Sequence, residues 1–281
     1  MNNPISVVKK KSKVFRSLSG LNIEEFENLL RKLGPIYMKS EQKRFKKIKR
    51  QRHIGGGRKK QLDLENQLLM LLMYYRVYLS QTFLGLLFNL HNCKVSRHIN
   101  YLSAMLSQIF RIPERKMELS EENLSEEELI EIFIDATEQQ IQRLKKGQKN
   151  YYSGKKKKHT LKNQVIIDKK GKILSVSKSR PGKMHEKKLN DKTKAYSTKR
   201  VKKVGDLGYI GIGGMTLPKK KPKGKELTDE EKLYNIELSK KRIKVEHRIG
   251  KMKIFQILAQ RFRNPLKNHS IIFKNVAGLQ T

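Results

Sequence analysis

Three carboxylates are set where chemistry could use them. Asp135 closes an apolar run over residues 129–134, Asp206 follows Val201-Lys-Lys-Val-Gly, and Glu246 is the single carboxylate of the basic stretch 241–253. On a helix, the period of about 3.6 residues brings Arg242 and Lys253 near the face that carries Glu246. Such a face offers a carboxylate to a divalent metal beside cations that hold the phosphates the metal acts upon. The plainer reading is a solvated salt bridge, since Arg242 and Glu246 are spaced i,i+4. Taken together, the three carboxylates point to phosphoryl transfer. Two hard cations about 4 Å apart need several oxygen ligands at one point, and they stabilise both the attacking and the leaving oxygen.

The composition agrees with a polyanionic substrate. The chain of 281 residues carries 64 Lys and Arg against 26 Asp and Glu, a formal net charge of +38 and a pI near 10.2. That field suits nucleic acid. A membrane surface is the competing partner, but there is no run of about 18 apolar residues and no signal-peptide core at the N-terminus, so a soluble, cytoplasmic and nucleoid-associated protein is expected. The only cysteine, Cys93, excludes an internal disulfide and a cysteine zinc cluster, and it is expected to be a small buried residue. No repeat of solenoid period is present.

The elements that must position these residues follow from periodicity. Residues 22–33 read as a helix capped by Asn22 with Glu25 at the capping-box position, stopped by Gly34-Pro35. Cations dominate residues 39–60, with Gly55, Gly56 and Gly57 as a hinge; a phosphate-cradling loop is the sharper alternative, but it lacks the closing lysine and hydroxyl. A strongly apolar helix over 62–78, a second over 82–87 and a third over 94–110 form helix-turn-helix grammar. Lys94, Ser96, Arg97 and Asn100 would enter the DNA major groove, with Ile99, Leu102 and Leu106 buried behind them. An ordinary helical hairpin is the alternative, and His91 and His98 read as packing or phosphate-contact residues rather than metal ligands. An acidic, unpatterned segment over 113–128 marks a domain boundary.

Beyond it the period changes from that of helices to that of strands. Residues 129–137 read as a buried strand ending in Asp135, 151–168 as a second and 173–178 as a third, all antiparallel. The loop between the first two is dense in lysines, including Lys155, Lys156, Lys157 and Lys158, with Tyr151 and Tyr152 interleaved, which suits a nucleic-acid track, a solvated tip being the alternative. Pro181-Gly182 ends the third strand, a short helix is expected over 185–194, and a fourth strand carries Asp206. A short fifth strand over 215–218 follows. Thr228 then caps a long helix to about residue 259 that contains Glu246. Three strands, a helix, a strand and a closing helix is how a ribonuclease-H-like α/β fold gathers such carboxylates.

On these motifs the chain resembles bacterial insertion-sequence transposases of the DDE superfamily. The matching residues are Ile134-Asp135-Ala-Thr137-Glu138-Gln139, Tyr151-Tyr-Ser-Gly154-Lys-Lys-Lys-Lys-His159, Pro181-Gly182-Lys-Met-His185, Asp206-Leu-Gly-Tyr209-Ile-Gly211 and Arg242-x3-Glu246-x6-Lys253. The resemblance covers almost the whole chain. It implies a basic N-terminal helical region with hinge over 1–60, a helix-turn-helix domain over 61–115 and a ribonuclease-H-like catalytic domain over 129–281. It assigns the metal-binding catalytic triad to Asp135, Asp206 and Glu246, holding two Mg²⁺ ions for which Mn²⁺ can substitute. Arg242 and Lys253, with some of Lys155 to Lys158, would position phosphates. The partners implied are double-stranded DNA, as terminal inverted repeats and target, and further copies of the chain as a homodimer or higher assembly on DNA. Two positions depart from the family pattern: Ser239 stands where a tyrosine is usual, and Glu186 where an aspartate commonly follows the Pro-Gly motif's histidine.

The expected activity is metal-dependent cleavage at the element ends, followed by attack of the freed 3′-hydroxyl on target DNA. Two alternatives remain at this point: a non-catalytic helix-turn-helix regulator, and a repair or defence nuclease of the same fold.

Overall fold

The computed structural model describes residues 4–46, 60–110, 112, 130–193 and 201–280. The chain divides into two compact units, one comprising residues 1–111 with 255–257 and the other 112–254 with 258–281. The expected hinge at Gly55 to Gly57 and the acidic boundary segment lie outside the described residues.

Among the described residues, the elements of the first unit are all helices: α1 (Pro4–Lys9), α2 (Ser12–Ser19), α3 (Ile23–Lys46), α4 (Leu64–Val77), α5 (Gln81–Phe88) and α6 (Asn92–Ile109). Helix α4 is its axis. It is buried without interruption from Asn66 to Tyr75, as its nearly uniform apolar sequence requires, and α2, α3 and α6 pack around it. Asp63 caps it by accepting from the Asn66 N–H at 2.8 Å. Asn22 and Glu25 form the expected reciprocal box at the start of α3, at 2.7 and 2.8 Å.

The expected stop at Gly34-Pro35 is corrected: α3 runs through Pro35 to Lys46. A mid-helix proline forfeits one backbone hydrogen bond and costs about 3 kcal/mol. Burial of Phe26, Leu29, Leu33, Tyr37 and Glu41 along one stripe of α3 outweighs it.

Helices α5 and α6 form the turn expected of a helix-turn-helix. Ser80 caps α5, Asn89 leaves it in the left-handed region (φ 50°), and the Leu90 N–H returns to the Gly85 carbonyl at 2.8 Å. A Cβ at Gly85 would strike the Leu90 carbonyl oxygen, so the tightness of the turn requires glycine there. Val95, Ile99, Leu102 and Leu106 are the buried stripe of α6, and Lys94, Arg97 and Asn100 are exposed. Cys93 falls on the exposed side, against the expectation of burial, because it is out of phase with that stripe.

The second unit is built on a mixed sheet of β1 (Ile130–Gln140), β2 (Tyr152–Ser153), β3 (Lys158–Asp168), β4 (Ile173–Val176), β5 (Arg180–Pro181), β6 (Val201–Val204) and β7 (Met215–Thr216). Its helices are α7 (Gln148–Tyr151), α8 (Glu186–Thr193), α9 (Asp229–Lys253) and α11 (His269–Gly278), with 3₁₀ turns at Leu207–Tyr209 and Leu266–Asn268, while the division between the units falls within α10 (Gln256–Ala259). β1 lies between β3, antiparallel to it, and β6, parallel to it; β4 extends the sheet beyond β3 and β7 beyond β6. For the five main strands in chain order this is third, second, first, fourth, fifth, the arrangement of a ribonuclease-H-like α/β fold. Ile132, Ile134, Ile166, Val201 and Tyr209 form a core on the sheet, and Val245, Ile249 and Met252 are the buried stripe of α9.

Two local expectations shift. Asp135 is not at a strand end but in the middle of β1, opposite Val165, because the ladder continues through the polar pairs Thr137↔Asn163 and Glu138↔Lys162. The long second strand is instead a hairpin, in which α7 and β2 lead into β3 and the lysine-rich tip lies between the last two. Helix α9 starts at the expected Thr228 cap and carries a full capping box with Glu231, but it ends at Lys253.

Candidate active site

Each carboxylate reaches its place by a different device. Asp135 is carried by β1 and accepts from the Ala136 N–H at 2.8 Å. Asp206 sits just past β6, where it caps the 3₁₀ turn Leu207–Tyr209 by accepting from the Gly208 N–H at 3.0 Å. Glu246 projects from α9, whose buried stripe holds the helix in place. Burial pushes the Asp135 carboxyl up to about 6, and the negative charges of Asp206 and Glu246 add to the rise while Arg242 opposes it. The three carboxylates therefore share one electrostatic site with Arg242. Glu246 is the outlying member: its side chain is half exposed, and Arg242 Nη2 lies 3.9 Å from its Oε1. Among the described residues, no group of three or more His, Cys, Asp or Glu side chains is already gathered as a metal site.

The cations come from two sources. Lys253, at the end of α9, is held below the ordinary lysine value by burial first and then by the charge of Lys156, with Asp135 and Glu138 opposing. Lys155, Lys156 and Lys157 are exposed on the hairpin tip, and Lys158 opens β3. Lys155 and Lys156 are near enough to act electrostatically on Glu186 and Lys253 respectively. The tip thus borders the site.

Around the carboxylates lie groups to which the sequence reading gave no role, or whose surroundings it did not show. Lys162 of β3 is buried between Glu138, at 3.1 Å, and Glu186, at 3.7 Å. Glu138 also accepts from Thr160 Oγ1 at 2.7 Å; although burial opposes it, these partners hold its carboxyl below the ordinary value. Glu186 is pushed up to about 7, by burial first and then by the charge of Asp206 beside it. The Tyr209 hydroxyl, fully buried, has no hydrogen-bond partner among the described residues and feels the charges of Glu186, Asp135 and Asp206. Thr137 Oγ1 and Arg242 Nε are likewise buried without partners among those residues. Only Lys162 lacked any signal, since its importance depends on a pairing across the sheet.

As donors, these groups suit a hard divalent cation. The oxygens of Asp135, Asp206 and Glu246 are all carboxylate oxygens, and a cation would relieve the repulsion that already acts on Asp135.

In the helical unit, Lys94, Arg97 and Asn100 line an open groove of about 740 Å³ together with Tyr37, Glu41, Arg44 and Lys60. Ser96 is half buried beside them. Glu41 is buried at the groove's edge, 2.5 Å from Lys60 Nζ and 2.9 Å from the Tyr101 hydroxyl, which donates to it. His98 meets Gln67 at 3.1 Å, and burial lowers its pKa, as a packing residue requires.

Comparison with known proteins matches both units. Residues 134–280 match the family described as DDE superfamily endonuclease, and residues 60–111 match the helix-turn-helix of DDE superfamily endonuclease. The chain is 32% identical over 274 residues to the probable transposase for insertion sequence element IS702 of Microchaete diplosiphon, covering 94% of this chain and 92% of that one. The chain belongs to the DDE superfamily, among its insertion-sequence transposases. No solved structure matches it. DDE superfamily endonucleases use divalent metal ions, in keeping with the oxygen donors found here. The helix-turn-helix and endonuclease matches point to DNA as the partner, and among the described residues no helix is long and apolar enough to cross a membrane.

Proposed function

We propose that this transposase binds the terminal inverted repeats of an insertion sequence, cleaves DNA strands there, and joins the freed 3′-hydroxyl to target DNA while assembled as a dimer or larger multimer. The observation that carries this reading is the shared electrostatic site of Asp135, Asp206 and Glu246, with Arg242 beside them and Lys253 near Asp135. The three carboxylates would hold two Mg²⁺ ions, or Mn²⁺ in their place. Bound there, such ions supply a polarised phosphate and an activated nucleophile.

The remaining roles fall to the chain. Arg242 offers guanidinium donors to non-bridging phosphate oxygens. Lys253, partly buried, provides a point charge at the same phosphate. Lys155 to Lys158 follow the strand that leads into the site, and Lys94, Ser96, Arg97 and Asn100 of α6 read the repeat.

Glu246→Gln tests the reading. The amide keeps the side chain's shape and removes the charge a divalent cation needs, so metal-dependent cleavage of a terminal-repeat duplex should vanish while binding of that duplex persists. Asp135→Asn and Asp206→Asn should behave alike, and the double variants should be no worse than the singles, because the three act as a unit. Cleavage at the wild-type rate by Glu246→Gln would remove it from the site.

A further inference from the structure

Helix α8 begins with Glu186, which the assignments above leave without a role. Its carboxylate lies against the Asp206 turn so closely that a Cβ at Gly208 would fall on Glu186 Oε2 and push that carboxylate aside. Its ion-pair partner is Lys162, 3.7 Å away, and Lys162 is already engaged by Glu138 at 3.1 Å. All three side chains are nearly buried, with exposures of 8% for Lys162, 6% for Glu138 and 12% for Glu186. One ammonium is therefore shared by two carboxylates, with Asp206 adjacent. Buried carboxylates in excess of their counter-charges are costly unless a proton or a cation joins them, and a divalent cation would let both stay ionised. A second observation points to the same place: the Tyr209 hydroxyl, three residues after Asp206, is fully buried, has no partner among the described residues, and feels Glu186, Asp135 and Asp206 together. A buried hydroxyl at a cluster of carboxylates is the neighbour expected of a ligand or its water.

We propose that Glu186 is a fourth carboxylate of the metal centre, sharing with Asp206 the divalent cation on that side, and that Lys162, clamped by Glu138, is the positioning residue that holds it there. The opposing structural reading is that Glu186 serves only as an acidic first-turn residue of α8 paired to Lys162. An acidic residue stabilises a helix start, but that role gives no account of the buried Tyr209 hydroxyl, which has no partner among the described residues. The family's usual aspartate at this place carries the same charge on a shorter arm.

This assignment rests on Asp206 being a metal ligand, and the test separates the two. Mn²⁺ binding to the full-length chain without DNA is followed by electron paramagnetic resonance of the free ion, with circular dichroism to establish folding. Glu186→Gln should weaken Mn²⁺ binding by about 10- to 100-fold, and Glu186→Asp should restore most of it. Gly208→Ala removes no charge but displaces the Glu186 carboxylate, and it should lose affinity too. A folded Glu186→Gln, or a folded Gly208→Ala, that titrates as the wild type does while Asp206→Asn is weakened overturns the role of Glu186 alone. Wild-type titration by Asp206→Asn as well places the failure in the metal reading of the site, and the Glu186 assignment falls with it.

Discussion

Arg242 and Glu246 sit one turn apart on α9, and the arginine is the buried partner: its side chain is 13% exposed against 55% for the glutamate, with 3.9 Å between Nη2 and Oε1. An exposed i,i+4 pair contributes about 0.5 kcal/mol or less. Stability alone is therefore a poor reason to bury a guanidinium whose Nε finds no partner among the described residues. The geometry suits an arginine held ready for a phosphate.

Arg242→Ala should accordingly leave folding almost unchanged and slow single-turnover strand cleavage by about 100-fold, the scale for removing one charged donor from a transition state. Arg242→Lys should recover only part of that loss, since an ammonium cannot reproduce the planar fork. Equal cleavage rates for wild type and Arg242→Ala would reduce the pair to a surface salt bridge.

His269 supports a prediction about stability. Its Nε2 lies 2.8 Å from Gln139 Oε1, and Gln139 Nε2 donates to the Gln260 carbonyl at 2.7 Å, which fixes the amide's orientation. Nε2 must therefore carry the proton, and Nδ1 accepts from the Ser179 hydroxyl at 2.6 Å. Burial pushes the His269 pKa down to about 3, from 6.5 in the unfolded chain. Between those values the unfolded state takes up a proton that the folded state refuses. The stabilising contribution is thus complete above about pH 6.5 and is lost as pH falls toward 3. His269→Gln should be less stable at pH 7 by about 1–3 kcal/mol, for buried partners left unpaired, yet show a shallower loss of stability on acidification. Urea midpoints for both proteins from pH 7 to 5 decide it; parallel pH profiles would exclude His269 as the titrating group.

What could be read from the sequence, and what could not, divides along one physical line. Elements whose pattern is local were legible: the apolar axis of α4, the capping box at Asn22, the cap at Thr228, and the strand pattern that carries Asp135. Pro35 misled because the stripe from Phe26 to Glu41 is satisfied by tertiary burial, which a local breaker rule does not weigh. Cys93 misled because residue type suggested burial while helical phase decided against it. At the site, Asp135, Asp206 and Glu246 stood out in the sequence as carboxylates in unusual settings. The Glu138–Lys162–Glu186 bridge was not, since it joins β1, β3 and α8 across pairings that no spacing along the chain encodes.

Lys156 and Lys157 are exposed on the hairpin tip, where Lys157 holds a left-handed backbone (φ 53°). Lysines so placed should meet phosphates without regard to sequence. Replacing both with alanine should weaken binding to every duplex and lower the slope of log affinity against log salt by about 1 for each phosphate no longer neutralised. An unchanged slope would mean that the tip does not touch DNA.

Arg97 allows the opposite outcome to be tested on α6. It is exposed, on the side of the helix away from Val95, Ile99, Leu102 and Leu106, and it lines the same groove as Lys94 and Asn100. A residue near the start of a recognition helix meets base edges, and an arginine paired with guanine provides about 1–3 kcal/mol of discrimination. Arg97→Ala should therefore reduce the preference for a terminal repeat over a scrambled duplex by that amount while changing the salt slope little. Fluorescence anisotropy of both duplexes across a salt series measures the two quantities together. If affinity for both falls equally and the slope drops by about 1, Arg97 binds a phosphate, and base readout rests with its neighbours Lys94 and Asn100.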